Sequence, residues 1–448
     1  MLWFRRDLRL GDNPALLAAR DAAADGVLPL FVLDDALRKP SGAPRLAFLY
    51  RALRTLDESL DGRLVVLAGR PEKVVARVAG EIGATSVHVA ADFGPYGRER
   101  DERVAAALPA GVELVRTGSP YAVAPGRVRK GDGTPFRVYS PFYRAWVEHG
   151  WRKPAASAQA EVRWLTGTGS TGVPKDPDVP AALPEAGERA ALGRWARFRD
   201  EALLGYGDDR NRPDRPATSR LSVDLKYGSL HPRTLLADLS GRTGKGAETF
   251  RRELAWREFY ADVLWHAPRS ARECLNPAFA TMEVDSGPEA DARFAAWAEG
   301  RTGYPMVDAG MRQLRAEAWV HNRVRMIVAS FLVKDLHVDW ARGAREFLAR
   351  LVDGDLASNN AGWQWVAGCG TDAAPFHRVF NPVTQGRKFD PDGDYVRRYV
   401  PELRGVPGDA VHEPWDLPSG LPAGYPERVV DHAAERREAL SRYGRVRG

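Results

Sequence analysis

The chain has 448 residues, 44% of them hydrophobic and 28% charged, so it is globular by composition and long enough for two or three domains. Lys and Arg total 65 against 59 for Asp and Glu, and the net charge of +6 permits a polyanionic partner without requiring one. Two cysteines, Cys274 and Cys369, argue against a disulfide framework and fit a reducing compartment, with the cytosol as the expectation.

The opening MLWFRRDLRL carries arginines within its apolar stretch, and no apolar run or small-residue cleavage site follows, which argues against secretion. Over the first 130 residues, Leu28 to Asp34, Leu64 to Gly69, Ser86 to Ala90 and Val112 to Arg116 read as buried strands. Ala/Leu-rich amphipathic segments between them are long enough for crossover helices, so residues 1–130 are predicted to form a parallel α/β domain. Neither GxGxxG nor GxxxxGK[ST] follows the first strand. Residues 131–195, rich in Ala, Gly, Thr and Pro from Pro154 to Pro184, read as a connector. Residues 196–448 read as a nearly all-helical domain. Its apolar run Met326 to Val333 is too short to span a bilayer.

Within the helical half, Thr218, Ser219 and Ser222 lie near an inferred helix start. They either cap it or cradle a phosphate, and Arg220 among them suits a pyrophosphate. Glu253, Trp256, Arg257 and Tyr260 share one helical face. That pattern fits a surface ion pair beside a core tryptophan, or a carboxylate held beside an aromatic platform. Trp319, Asn322, Arg323 and Met326 share another face, where buried arginine is costly without a ligand or counter-ion. A helix entering the core obliquely would also produce it, and His321 reads as structural or as a hydrogen-bond partner. The run Asp353 to Asp372 packs three acids, adjacent amides and two tryptophans between glycines. It reads as the wall of a site for a large flat ligand. Nine of the thirteen tryptophans fall between Trp195 and Trp415, supplying rings that can stack on a cofactor or nucleobase.

These motifs together, WFRRDLRLGDNPAL, TSRLS, ELAWREFY, GRTGYPMVDAGMRQL, WVHNRVRM, DGDLASNNAGWQW and PFHRVFNPVTQGRKFDPDGDYVRRYVPEL, resemble the photolyase/cryptochrome family over essentially the whole chain, most closely a bacterial class I cyclobutane pyrimidine dimer photolyase. The resemblance implies a Rossmann-like antenna domain followed by an all-helical domain that binds FAD and UV-damaged DNA as a monomer. It implies that light drives electron donation from reduced FAD to a flipped-out dimer, with the protein supplying position.

By motif, the resemblance assigns Tyr206, Thr218, Ser219, Arg220, Leu221 and Ser222 to the FAD cradle and Arg257 to its phosphate side. Arg325 and Asp353 match a charge pair over the flavin, Asp355 contacts its ribityl and adenine end, and Asn359 faces N5. Glu253 matches the carboxylate that hydrogen-bonds the dimer. Trp256 and Trp365 match its aromatic wall, and Asn322, Arg323 and Met326 line the same hole. Asn322 after a single His321 argues for the cyclobutane lesion rather than the (6-4) photoproduct.

Trp363 and Trp340 match the inner and middle members of the electron relay. The outer member is missing, since no tryptophan lies between Trp265 and Trp297. The relay is expected to end elsewhere, through Trp319, Trp297 or a tyrosine, or to work inefficiently. A second, light-harvesting chromophore, 8-hydroxy-deazaflavin or methenyltetrahydrofolate, is implied near Arg45, Asp92 and Arg98, although that segment also reads as a strand-end turn and a solvated helix. Cys369 reads as space-filling, His377 has no assignable chemistry, and no metal site is expected. A cryptochrome-type photoreceptor is the rival reading.

Overall fold

The computed structural model describes residues 1–158, 160–167, 169–372 and 378–447. It divides into two compact units. One comprises residues 1–179, 184–204 and 219–268, and the other residues 180–183, 205–218 and 269–448.

The first unit is built on five parallel strands, β1 (Leu2–Phe4), β2 (Pro29–Leu33), β3 (Val65–Ala68), β4 (Ser86–Val89) and β5 (Glu113–Arg116), in the order β3-β2-β1-β4-β5. This is the doubly wound α/β order, whose strand sequence reverses beside the first strand. Strands β2 to β5 are the four expected. The central strand, with Leu2 opposite Pro29 and Phe4 opposite Phe31, was not among them. It is three residues long and runs straight into two arginines, so it has no readable alternation. Arg5 is nevertheless buried, because its guanidinium is paired with Asp101 and bonded to the Ala90 carbonyl.

The connector is strapped to this unit. Val27 donates to the Arg163 carbonyl and accepts from the Leu165 N–H, Thr171 donates to Val66, and Asp176 pairs with Arg51 and Arg54. Several helices also belong here rather than with the helical half. Glu188 accepts the Leu10 and Gly11 N–H groups at 2.8 Å, and Arg233 pairs with Asp12 at 2.6 Å. Within helix Lys245–His266, Glu258 accepts from Val123 and from the Trp146 indole, while Asp262 accepts from Gly126.

The second unit is helical. Its core joins Trp297, Tyr304, Phe331, Phe347, Trp363 and Tyr395, all nearly or fully buried. Helices Asn322–Lys334, Trp340–Arg350 and Leu356–Ala367 carry eight of the expected site residues. No described helix is long and apolar enough to cross a membrane.

Candidate functional site

In the second unit, helix Asn322–Lys334 begins one residue after His321, whose ring accepts the Arg323 N–H at 3.1 Å. His321 is therefore an N-cap. Trp319 precedes the helix and does not share its face as the spacing predicted, because Ala318 ends the preceding helix in the left-handed region at φ +49. Asn322 is exposed, and Met326 is half-buried. Arg323 is engaged by Asn211, at 2.9 and 3.2 Å, and lies over Phe389.

Arg325 anchors itself on the Val320 carbonyl at 2.8 Å and reaches Asp353 Oδ2 at 2.8 Å. The Asp353 side chain is only 2% exposed. Its other oxygen, Oδ1, is buried with no hydrogen-bond partner. A buried carboxylate oxygen left unsatisfied costs roughly 1 to 3 kcal/mol or more, so this is a place where a ligand donor belongs.

Two residues on, Asp355 caps helix Leu356–Ala367 by accepting from Ser358 at 3.1 Å. Asn359 turns its amide nitrogen to the Ala344 carbonyl and to Asn360 Oδ1, at 3.1 and 2.9 Å. What it can offer a ligand is its carbonyl oxygen, an acceptor. Trp363 and Trp365 are two positions apart on the helix and so point to opposite sides. Trp363 is buried and Trp365 is half-buried. Trp340 opens the neighbouring helix, and at Gly343, three residues along, an added Cβ would sit 2.2 Å from the Trp363 ring. Glycine there lets the helix that Trp340 opens close directly on the Trp363 ring.

Of the candidates for the missing relay member, Trp297 meets Trp363 edge-on at 6.1 Å and is fully buried, with its indole bonded to Val328. It approaches the inner ring and does not lead outward. The Trp319 ring lies against His321 at 6.3 Å. Tyr206 is buried in the short helix Tyr206–Asp209, and Thr218 is half-buried.

In the first unit, Ser219 to Ser222 approach helix Ser222–Tyr227, whose N-cap, Leu221, makes no side-chain cap bond. Ser222 is exposed at its first position. The cap-only alternative is thus weakened. Arg220 adopts φ +52, an uncommon conformation for a non-glycine residue and one that marks a constrained turn. The helix ends at Gly228, φ +72, where a Cβ would come 1.9 Å from the Arg6 carbonyl.

Glu253 and Trp256 are half-buried on helix Lys245–His266. The Trp256 ring stacks on Tyr139 at 3.6 Å and 8° between planes. Tyr139 is fixed in turn by its hydroxyl bond to the Arg252 carbonyl at 2.7 Å, and burial followed by the Glu253 charge pushes its ionisation up. Arg257 gives its two terminal nitrogens to the Pro120 and Leu225 carbonyls at 3.0 and 2.9 Å and lies over Tyr121.

The antenna candidates split. Asp92 pairs with Arg100 at 3.1 Å and accepts from Gly94. Burial would raise its carboxyl, but Arg100, Arg5 and Arg6 hold it down to about 2. Arg98 lies over Trp265 at 4.0 Å. Arg45 keeps a buried Nε without a partner. His377 lies outside the described residues.

Sequence reading missed three features. Tyr139 lies 117 positions from Trp256, Gln364 reads only as one more amide, and the two cysteines are 95 residues apart. None of these contacts has a local signal.

Two family descriptions match the chain, "DNA photolyase" over residues 1–160 and "FAD binding domain of DNA photolyase" over residues 250–445. A curated deoxyribodipyrimidine photo-lyase of Streptomyces griseus is 44% identical over 460 residues, spanning 99% of this chain and 98% of that one. A class III photolyase from Agrobacterium tumefaciens superposes with a TM-score of 0.88 at 37% identity, over 100% of this chain and 97% of that one. An archaeal photolyase from Sulfolobus tokodaii, solved with two FAD molecules, gives 0.87 at 31% identity over 99% of each chain. These likenesses support the family expected from the motifs and do not single out class I.

Proposed function

The chain belongs to the DNA photolyase family, and from that premise we propose how its residues divide the work of the enzyme. The protein is a light-driven DNA repair enzyme that uses FAD, and its substrate is UV-damaged DNA containing pyrimidine dimers. When bound, FAD supplies the photoexcited electron that splits the cyclobutane ring.

The observation that carries the assignment of the flavin site is Asp353 Oδ1, a buried acceptor without a partner, on a carboxylate whose other oxygen is held by Arg325. This donor set fits the flavin. Arg325 and Asp353 would offer the ring system one positive and one negative group, with Asp353 Oδ1 available to a ring N–H. The Asn359 carbonyl would be available to N5–H, favouring the reduced cofactor without adding charge. Tyr206, Thr218, Ser219, Arg220, Leu221 and Ser222 hold the rest of the dinucleotide, with Ser219 and Ser222 offering hydroxyls and Asp355 meeting the ribityl and adenine end. Arg257 supports its side of the cradle through the loop at Pro120 and helix Ser222–Tyr227, whose carbonyls it ties together.

For the lesion, Glu253 hydrogen-bonds the dimer, and Trp256 and Trp365 supply the faces on which it stacks. Asn322, Arg323 and Met326 are assigned to the lesion as well, Arg323 holding its place through Asn211. Stacking of roughly 1 to 3 kcal/mol per base offsets much of the few kcal/mol lost on flipping. Trp363 and Trp340 relay electrons inward when the flavin has become oxidised, a task separate from repair.

A second, light-harvesting chromophore, a deazaflavin or a folate, belongs to this reading. Arg45 is its best-supported contact, since Asp92 and Arg98 already have protein partners. A cytosolic monomer is the expected form. Asn322 after His321 argues for the cyclobutane lesion, whatever the class.

Blue light on prereduced protein with oligonucleotides carrying a cyclobutane dimer tests the function. Restored thymines are expected. Dimers that persist while FAD is bound and reduced would point instead to a photoreceptor sharing the same pocket.

A further inference from the structure

The loop Ser270 to Asn276 is tied to helix Leu356–Ala367 and the turn after it by a set of directed bonds. Gln364 donates to the Ser270 and Glu273 carbonyls at 2.7 and 3.1 Å and accepts the Leu275 N–H at 2.8 Å. Asn360 donates to Ala271 at 2.6 Å, and the Asn276 N–H reaches the Cys369 carbonyl at 2.9 Å.

The residue this clamp delivers is Cys274. Cys274 packs against the core cluster that contains Cys369 and Trp340, and its thiol interacts with the Cys369 thiol and with the Trp340 indole. Cys369 is 1% exposed and Trp340 is 7% exposed, both within the helical core, whereas Cys274 is partly open to solvent. The two free thiols and Trp340, the proposed middle member of the relay, are thus neighbours in one packed region.

We propose that the Cys274–Cys369 pair is the electron source that refills Trp340, closing to a disulfide as oxidised FAD becomes fully reduced. The proposal rests on reading Trp340 and Trp363 as the relay. In a first light-driven step Trp363 passes one electron inward, Trp340 refills Trp363, and Cys274 refills Trp340, its proton going to solvent. In a second step the Cys274 sulfur bonds to the Cys369 sulfur, the Cys369 S–H bond breaks, its proton leaves, and the second electron follows the same path. In total two S–H bonds break and one S–S bond forms. Two electrons and one proton are taken up by FAD, and one proton is released.

The surroundings suit each half of this. The bond from Cys369, helped by the Trp340 N–H, holds the Cys274 thiol at about 7 against the burial that would raise it. A large thiolate fraction is therefore present at neutral pH, and the thiolate is the more readily oxidised form. Cys369 is pushed up by the bond it gives to Cys274 and by burial, so it stays a thiol until the second step. Partial exposure of Cys274 lets an external thiol attack the disulfide and reset the pair.

The test uses holoenzyme with FAD oxidised, free of oxygen and added reductant, under blue light. Flavin reduction is followed by its visible absorption, free thiols are counted in denaturant, and the cross-link is located by mass spectrometry. Both thiols should disappear for each flavin reduced, and a Cys274–Cys369 cross-linked peptide should appear. Cys274→Ser and Cys369→Ser should each lower the photoreduction yield severalfold at unchanged FAD content. Thiols that persist while the flavin is reduced overturn the proposal, as does a wild type that fails to photoreduce or a Cys274→Ser variant that matches it. Trp363→Phe separates the two readings. If it still photoreduces with loss of thiols, the relay fails and the proposal with it. If it blocks reduction while wild-type thiols stay intact, only the cysteine assignment falls.

Discussion

Trp256 enters the site with one face already covered by Tyr139, so its ring has little rotameric freedom left to lose when a dimer stacks against it. Trp256→Ala is expected to weaken binding of a dimer-containing oligonucleotide by roughly 1 to 3 kcal/mol while FAD content is unchanged. Fluorescence titration and flavin absorbance on the same samples measure both, and equal losses would make the ring part of the scaffold. Asp92 allows a pH test. Its folded carboxyl lies at about 2 against an ordinary 3.8, so between those values the unfolded chain binds more protons. The contribution, roughly 2 kcal/mol, is complete above 3.8 and is lost as pH falls through about 2. Asp92→Asn should flatten the acid limb of the melting temperature against pH, and an unchanged limb would show the carboxylate to be unimportant. Single residues such as Asp353 were legible because motif spacing survives in sequence. Their partners were less so, because the bonds of Arg257 to Pro120 and Leu225 depend on a loop and a helix that only the fold brings close.

At the scale of elements, helix Leu356–Ala367 faces two ways. One side carries Asn359, and Asn360 with Gln364 holds the loop Ser270 to Asn276. Gln364→Leu removes three bonds and leaves the Leu275 N–H and two carbonyls to find water. A loss of roughly 1 to 3 kcal/mol is expected, with faster hydrogen exchange at Leu275. Exchange as slow as in wild type would mean that the loop is held by packing alone. The strands β2 to β5 and the helices around Glu253 and Asn322 were visible from periodicity, which needs only a few regular turns. The central strand was not, being three residues long. The start of helix Asn322–Lys334 was placed too early, because an apolar pattern does not reveal that Ala318 and His321 break and cap the chain.

For the whole molecule, the sequence marks a domain change near the proline-rich connector, whereas the compact units cut the chain differently. Residues 219–268 pack with the α/β sheet because buried acids and arginines such as Glu258, Asp262 and Arg233 bond back to it. Composition cannot show this, since a buried Glu and a surface Glu are the same letter. The net charge of +6 belongs to this scale as well. Affinity for dimer-containing and intact duplexes should fall in parallel with added salt, each phosphate contact contributing a slope of about −0.9. A ratio between the two that collapses with salt would show that lesion recognition is itself electrostatic.

Gly343 sets a limit on how this protein can vary. Every other amino acid would put a carbon where the Trp363 ring lies. The position therefore accepts no side chain without displacing that ring, while much of the surface is free to drift. Substitution there would have to move either the Trp363 ring or the helix that Trp340 opens, so this packing cannot be loosened one small step at a time.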